Sequence, residues 1–183
     1  YDFAAPMLFS YNTCIDEVWA GVKDAAERFT VPGEFVGIAG VEFGTPPDDS
    51  HRNVHFFDHK GVPPIFFEGR PPAHDPRFTA RFHPDTIVCR DMDHFYDTVA
   101  EYGGIVTAHF HTKTVHREIL AELWQKQTGS QGEEQKTFGL LNEGKRMGIV
   151  CGSDTHDSMP GNPDPEPGCP QAAGFMAVLA DEL

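Results

Sequence analysis

Short apolar runs alternate along this chain with segments of helical periodicity, and this alternation constrains the fold most strongly. The run from Phe35 to Phe43 is apolar at nearly every position, which is typical of a strand buried on both faces of a parallel sheet. Residues 13–29 carry apolar side chains at helical spacing and predict an amphipathic helix. Strands that alternate with helices predict an α/β fold with a mainly parallel sheet.

The same patterns predict an order of elements for the rest of the chain. The further predicted strands are 53–57, 105–109, 147–151 and 173–180; the further predicted helices run from Asp91 or Asp93 to about Tyr102 and over 133–146, and 115–126 is predicted to be helical or mixed. Six prolines in residues 58–90 are expected to break any regular element there. That segment is therefore predicted to be a long excursion from a single domain that covers residues 1–183.

Composition and charge exclude several classes of partner. The formal net charge is -14, and an acidic surface repels phosphate backbones, so no nucleic-acid partner is expected. No stretch approaches the roughly 18 apolar residues of a membrane helix, so a soluble protein without a membrane partner is predicted, its compartment left open. The four cysteines form no C-x-x-C pair, so a zinc site of the finger type is not expected.

Polar side chains of one chemical kind stand at the ends of the predicted strands. Glu42 closes the first apolar strand, and His109 and His111 close the third. Asp154 and His156 follow the fourth strand in the stretch Gly-Ser-Asp-Thr-His. Because the carboxyl ends of parallel strands face one side of an α/β fold, these side chains are predicted to meet there.

Imidazole nitrogens and carboxylate oxygens are ligands for divalent zinc, manganese or iron. Two or more such ions can activate a water and offset the charge that builds on a phosphoryl or acyl oxygen, which is a hydrolase arrangement. His51 enters just before the second strand and can reach the same side. Each element also has a plainer interpretation: Glu42 as a solvated loop residue, and His51, Arg52 and Asn53 as a polar turn.

These segments resemble the PHP superfamily of metal-dependent phosphoesterases, named for polymerase and histidinol phosphatase, and within it the DUF3604 branch. The resemblance is carried by Phe35–Phe43, by His51-Arg52-Asn53-Val54, by Ala108-His109-Phe110-His111-Thr112 and by Gly152-Ser153-Asp154-Thr155-His156. It implies a distorted (β/α)7 TIM-like barrel with two or three divalent metal ions at the carboxyl ends of the strands.

The resemblance also implies roles for single residues. Glu42 resembles the glutamate that bridges metals, and His51 resembles the histidine that follows it. His109 or His111 occupies the next ligand position, where sequences of the DUF3604 branch often contain His-His-Thr. Asp154 and His156 match the closing Asp-x-His pair.

One departure from the family pattern concerns the opening His-x-His motif, because no histidine precedes His51. The barrel is therefore expected to be incomplete in this chain. A longer parent protein, a partner chain or second copy that completes the site, and a degenerate homologue with fewer metals are the competing explanations.

The leading hypothesis is an enzyme, a metal-dependent hydrolase that acts on a small-molecule phosphate ester through a metal-activated water. His156 or His111 is the alternative source of the proton for the leaving group, and Arg52 is a candidate for holding a phosphate oxygen. The other hypotheses are a non-catalytic metal-binding or structural subunit, and a metallohydrolase of a non-phosphate ester or amide.

Overall fold

Ten strands and three helices are present in the part of the chain that the structure, a computed structural model, describes: residues 3–5, 7–9, 16–45, 50–68, 82–109, 117–124, 132–152 and 154. In chain order they are β1 (Phe3–Ala4), β2 (Met7–Phe9), α1 (Asp16–Phe29), β3 (Val36–Gly37), β4 (Ala39–Thr45), β5 (Ser50–Phe56), β6 (Ile65–Phe67), β7 (Ile87–Cys89), α2 (Met92–Glu101), β8 (Ile105–Ala108), β9 (Leu120–Trp124), α3 (Glu133–Asn142) and β10 (Gly148–Cys151). None of these three helices is long and apolar enough to cross a lipid bilayer.

Two compact units divide the chain, the first from Tyr1 to Val106 with Glu182–Leu183, the second from Thr107 to Asp181. In the first unit β2 runs parallel to β4, and β4 pairs antiparallel with β5 from Ala39↔Phe56 to Thr45↔Ser50. Two further parallel pairs, β1 with β3 and β6 with β7, complete its described strands.

The antiparallel pair β4–β5 sorts its side chains between two faces. Arg52, Val54 and Phe56 are buried, whereas His51, Asn53 and His55 alternate with them and are partly exposed. On β4, Glu42 is likewise the partly exposed neighbour of two buried residues. Since successive strand side chains point to opposite faces, Glu42 and His51 lie on the face opposite the core.

Aromatic side chains build the core of the first unit. Phe43 packs edge-on against Phe95 of α2, with ring centroids 5.0 Å apart, and Trp19 of α1 packs edge-on against Phe56 at 6.2 Å. Edge-to-face pairs at these separations stabilise beyond the burial of their area. Both helices are thereby fixed to the β4–β5 pair.

The second unit has a simpler arrangement of parallel strands. β9 pairs with β8 through Thr107↔Leu120 and Ala108↔Ala121, and with β10 through Gly148↔Leu120 and Val150↔Glu122. Helix α3 packs against β9. Because β8 and β10 run in the same direction, the residues that follow them, His109 and Asp154, leave the strands at the same end.

The described residues form a mixed α/β fold, and the prediction of a (β/α)7 TIM-like barrel is wrong. β4 and β5 are antiparallel neighbours joined through residues 46–49, whereas a parallel barrel needs a crossover helix after each strand. The described strands form open sheets, each with two edge strands. Only three helices accompany them in the described ranges.

Two local predictions also differ from the structure. Residues 115–126 were expected to be helical or mixed, yet Leu120–Trp124 is the strand β9. The excursion at 58–90 contains the parallel pair β6–β7, because the apolar residues Ile65–Phe67 are buried between prolines that flank the strand rather than interrupt it. The predicted strand at 173–180 lies outside the described residues.

Candidate metal centre

His109 in the second unit stands between two carboxylates. It follows the last residue of β8 and only 5% of it is exposed. Its Nδ1 lies 2.5 Å from Oε2 of Glu122, on the neighbouring strand β9, and its Nε2 lies 4.0 Å from Oδ2 of Asp154, beyond the end of β10. Three separate strands thus bring one imidazole and two carboxylates together.

The distances from His109 to its two carboxylates decide which of them can bind the same metal ion as the imidazole. Two atoms that each bind one ion at about 2.1 Å stand from roughly 3.0 Å apart, when at right angles, to about 4.2 Å, when opposite. The 4.0 Å between His109 Nε2 and Asp154 Oδ2 falls in that range and exceeds a hydrogen bond. The 2.5 Å to Glu122 is too short for two ligands of one ion and fits a direct hydrogen bond.

Asp154 adopts a backbone conformation that few residues other than glycine use. Its φ is +46°, in the left-handed region where aspartate and asparagine are enriched among non-glycine residues. A side chain held at a strand end in this conformation is consistent with a functional constraint on its direction.

A second pair of predicted ligands is formed within the first unit. His51 Nδ1 lies 2.7 Å from Glu42 Oε1, with 30% and 13% of the two side chains exposed. The diagonal register of β4 and β5, in which Glu42 pairs with Asn53 and Gly44 with His51, brings them together. Both residues, like His109, offer an atom that can bind a metal ion, but at 2.7 Å His51 Nδ1 and Glu42 Oε1 are closer than two ligand atoms of one ion.

The sequence predicted that Glu42, His51, His109 and Asp154 belong to one site. The structure pairs them within each unit, and their binding of a common ion stays a prediction. His111 and His156 lie outside the described residues, so their assignment as ligands or proton donors also stays a prediction.

Arg52, the candidate for holding phosphate, is buried in the first unit, with 2% of the residue exposed. Its Nε donates a hydrogen bond to the Tyr96 hydroxyl at 3.2 Å, and its Nη1 donates to Thr45 Oγ1. Thr45 in turn donates to the Ser50 carbonyl at 2.7 Å. These contacts give the guanidinium a role in joining β4, β5 and α2.

Cys151 lies at the end of β10, near Glu122. Burial raises the pKa of its thiol, and the negative charge of Glu122 raises it further. A thiol whose pKa is raised stays protonated at neutral pH, and the protonated form is a poor metal ligand.

Glu122 is the member of this cluster that the sequence analysis missed. The run Leu120–Trp124 contains good helix formers, and within a predicted helix a glutamate needs no explanation. The available signal was a single carboxylate inside an otherwise apolar five-residue run, which in a strand has to find a partner.

No family model matches this chain, and a search of curated proteins likewise finds no match. The resemblance to PHP phosphoesterases therefore stays a prediction from the sequence motifs.

Proposed function

We propose that this protein is a metal-dependent hydrolase of phosphate esters that holds a divalent ion through His109 and Asp154. The observation that supports the proposal is the position of His109, which is buried, hydrogen-bonded at Nδ1 and faces a carboxylate across 4.0 Å at Nε2. A histidine whose second nitrogen is held by a carboxylate is the usual form of a histidine ligand.

The chemistry of the donors fits such an ion. One imidazole nitrogen and one carboxylate oxygen suit zinc, manganese or iron and leave positions for water and substrate. Glu42 and His51 offer the same donor types in the first unit, and His156 is the sequence-predicted addition. The excess of negative charge in the chain is offset in part by a bound cation.

A bound divalent ion supplies a water of lowered pKa and offsets negative charge on the phosphoryl oxygens. His109 and Asp154 fix the position at which that chemistry takes place. Hydrolysis there would form a P–O bond to the water oxygen as the P–O bond to the ester alcohol breaks, and the alcohol would leave with a proton. His156 or His111 is assigned as the donor of that proton.

A non-catalytic metal-binding module is the second candidate, and the low exposure of the site favours it. Only 6% of the His109 side chain and 5% of the Glu122 side chain are exposed, and structural metal sites are closed to solvent, whereas catalytic sites keep an open position. Asp154 is the more accessible member, with 18% of its side chain exposed. Activity, rather than metal binding, distinguishes the two candidates.

The test is hydrolysis of an aryl phosphate by the full chain loaded with Mn²⁺ or Zn²⁺, compared with Asp154→Asn. Asparagine tolerates the left-handed backbone, so this variant removes the charge and leaves the conformation. We expect the wild-type rate to depend on added metal, and the variant to lose metal affinity by at least about tenfold together with activity. The exposed Asp85→Asn is the matched control and is expected to behave as wild type.

Two results would count against the proposal. Wild-type protein that binds metal and hydrolyses nothing supports the non-catalytic module instead. Asp154→Asn with unchanged metal affinity removes Asp154 from the site altogether.

A further inference from the structure

We infer that Glu122 is a positioning residue that holds His109 in the tautomer that binds metal. Glu122 accepts a hydrogen bond from Nδ1–H of His109, and this leaves Nε2 unprotonated on the side of Asp154. The inference rests on the metal binding in the proposed function, but it is independent of the hydrolysis.

The contact between Glu122 and His109 is short and shielded from water. The atoms Oε2 and Nδ1 are 2.5 Å apart, and both side chains are more than nine-tenths buried. Removing a carboxylate from water is costly unless strong hydrogen bonds replace the lost hydration. The hydrogen bond from His109 supplies part of that compensation.

Strand register places the two residues beside one another. Ala108 pairs with Ala121 across β8 and β9, so His109 and Glu122 are the next residues along the two parallel strands. A contact set by backbone pairing does not depend on a flexible loop. The orientation of the imidazole is therefore fixed before any ion binds.

Gly152 gives a second, independent observation about Glu122. A Cβ atom placed on Gly152 would lie 2.5 Å from Glu122 Oε1, closer than real Cβ contacts allow. The backbone of Gly152 is itself fixed to β9, since its N–H donates to the Trp124 carbonyl at 3.0 Å. Glycine at this position is thus explained by the space that the carboxylate occupies.

The chemistry follows from the proton on the imidazole. A neutral histidine carries one ring proton, and the nitrogen that donates it to a carboxylate cannot bind a metal, whereas the other can. A carboxylate at Nδ1 therefore selects Nε2 as the ligand atom. Glu122 Oε2 and His109 Nδ1 cannot both bind one ion in this geometry, because 2.5 Å is shorter than the roughly 3.0 Å between neighbouring ligand atoms.

The first test measures the affinity for Co²⁺ and Zn²⁺ of the full chain and of Glu122→Gln, by competition with a chromophoric chelator. We expect Glu122→Gln to bind about 10–100-fold more weakly. Glu118→Gln is the matched control, since Glu118 is as buried as Glu122 and lies just before the same strand; it is expected to bind as the wild type does. Gly152→Ala should weaken binding in the same direction as Glu122→Gln.

The second test reads the tautomer of His109 directly, from ¹⁵N chemical shifts of the imidazole in metal-free protein. We expect the proton on Nδ1 in the wild type and loss of that preference in Glu122→Gln. A residue with a merely structural role would lower the urea midpoint without changing the tautomer, so this readout stays informative even if a variant is destabilised.

The outcomes separate the two claims. If His109→Ala loses metal and Glu122→Gln does not, the positioning role is wrong and the metal site stands. If neither variant changes metal affinity, the metal site itself is wrong. If Glu122→Gln weakens binding and Glu118→Gln weakens it equally, the effect is one of buried charge and the positioning role is overturned.

Discussion

His59 is buried on folding, and its burial lowers the stability of the protein. It is 9% exposed, and neither ring nitrogen has a hydrogen-bond partner among the residues that the structure describes. A buried polar group without a partner costs about 1–3 kcal/mol of stability. We therefore expect His59→Leu to raise the free energy of unfolding by about 1 kcal/mol, measured by urea denaturation.

His83→Leu is the control for that substitution. Its Nδ1 accepts a hydrogen bond from the Asp85 backbone at 2.9 Å, so its loss is expected to leave stability unchanged or lower it. A His59→Leu protein that is less stable than the wild type would mean that the imidazole is used, and the account of this residue would be wrong.

The sequence prediction named Glu42, His51, His109 and Asp154 by placing polar side chains at the ends of predicted strands. In the structure His109 and Asp154 do follow strand ends, whereas Glu42 lies within β4 and His51 within β5. Glu42 and His51 are 2.7 Å apart, and His109 lies 4.0 Å from Asp154. Glu122 was missed because the residues of β9 favour a helix, in which a glutamate needs no partner. The burial of Arg52 was equally hidden, since a charged residue in a short polar stretch is expected at the surface.

At the scale of elements, helix α1 approaches β3 through one glycine. A Cβ atom on Gly37 would lie 2.5 Å from the Ala26 carbonyl oxygen and 3.0 Å from its Cα. These are backbone atoms, so the clash cannot be relieved by a side-chain rotation. We expect Gly37→Ala to lower the free energy of unfolding by about 1–3 kcal/mol, measured by chemical denaturation.

Gly21→Ala is the matched control in the same helix. Nothing lies within 4 Å of a Cβ at this position, and alanine favours a helix interior over glycine by about 1 kcal/mol. Gly21→Ala is therefore expected to stabilise the protein. Equal effects of the two substitutions on the free energy of unfolding would show that the close approach of α1 to β3 does not affect stability.

Most elements were predictable because their patterns are local. The amphipathic stripe of α1, the Asp91 cap of α2, whose side chain accepts from the His94 N–H at 2.8 Å, and the apolar run of β4 all lie in the sequence itself. β9 was not predictable in this way. Its residues favour a helix, and pairing with β8 and β10 on both sides overrides that preference.

At the scale of the whole molecule, the barrel was predicted from resemblance and not from local pattern. The sequence contains evidence against a parallel barrel. The polar turn between the apolar runs of β4 and β5 is too short for the crossover helix that parallel strands require. Closure of a barrel depends on all strands together, and no single segment carries a signal for it. The proximity of His109 and Asp154 needed less information, because both residues follow the ends of strands that run in the same direction.

The central claim is that His109 binds a divalent metal ion, and calorimetric titration of Zn²⁺ or Mn²⁺ into the full chain tests it most directly. We predict that the wild type binds at least one ion and that His109→Ala binds at least about tenfold more weakly. The control His94→Ala, in α2, is predicted to bind as the wild type does. Equal binding by wild type and His109→Ala would contradict the account.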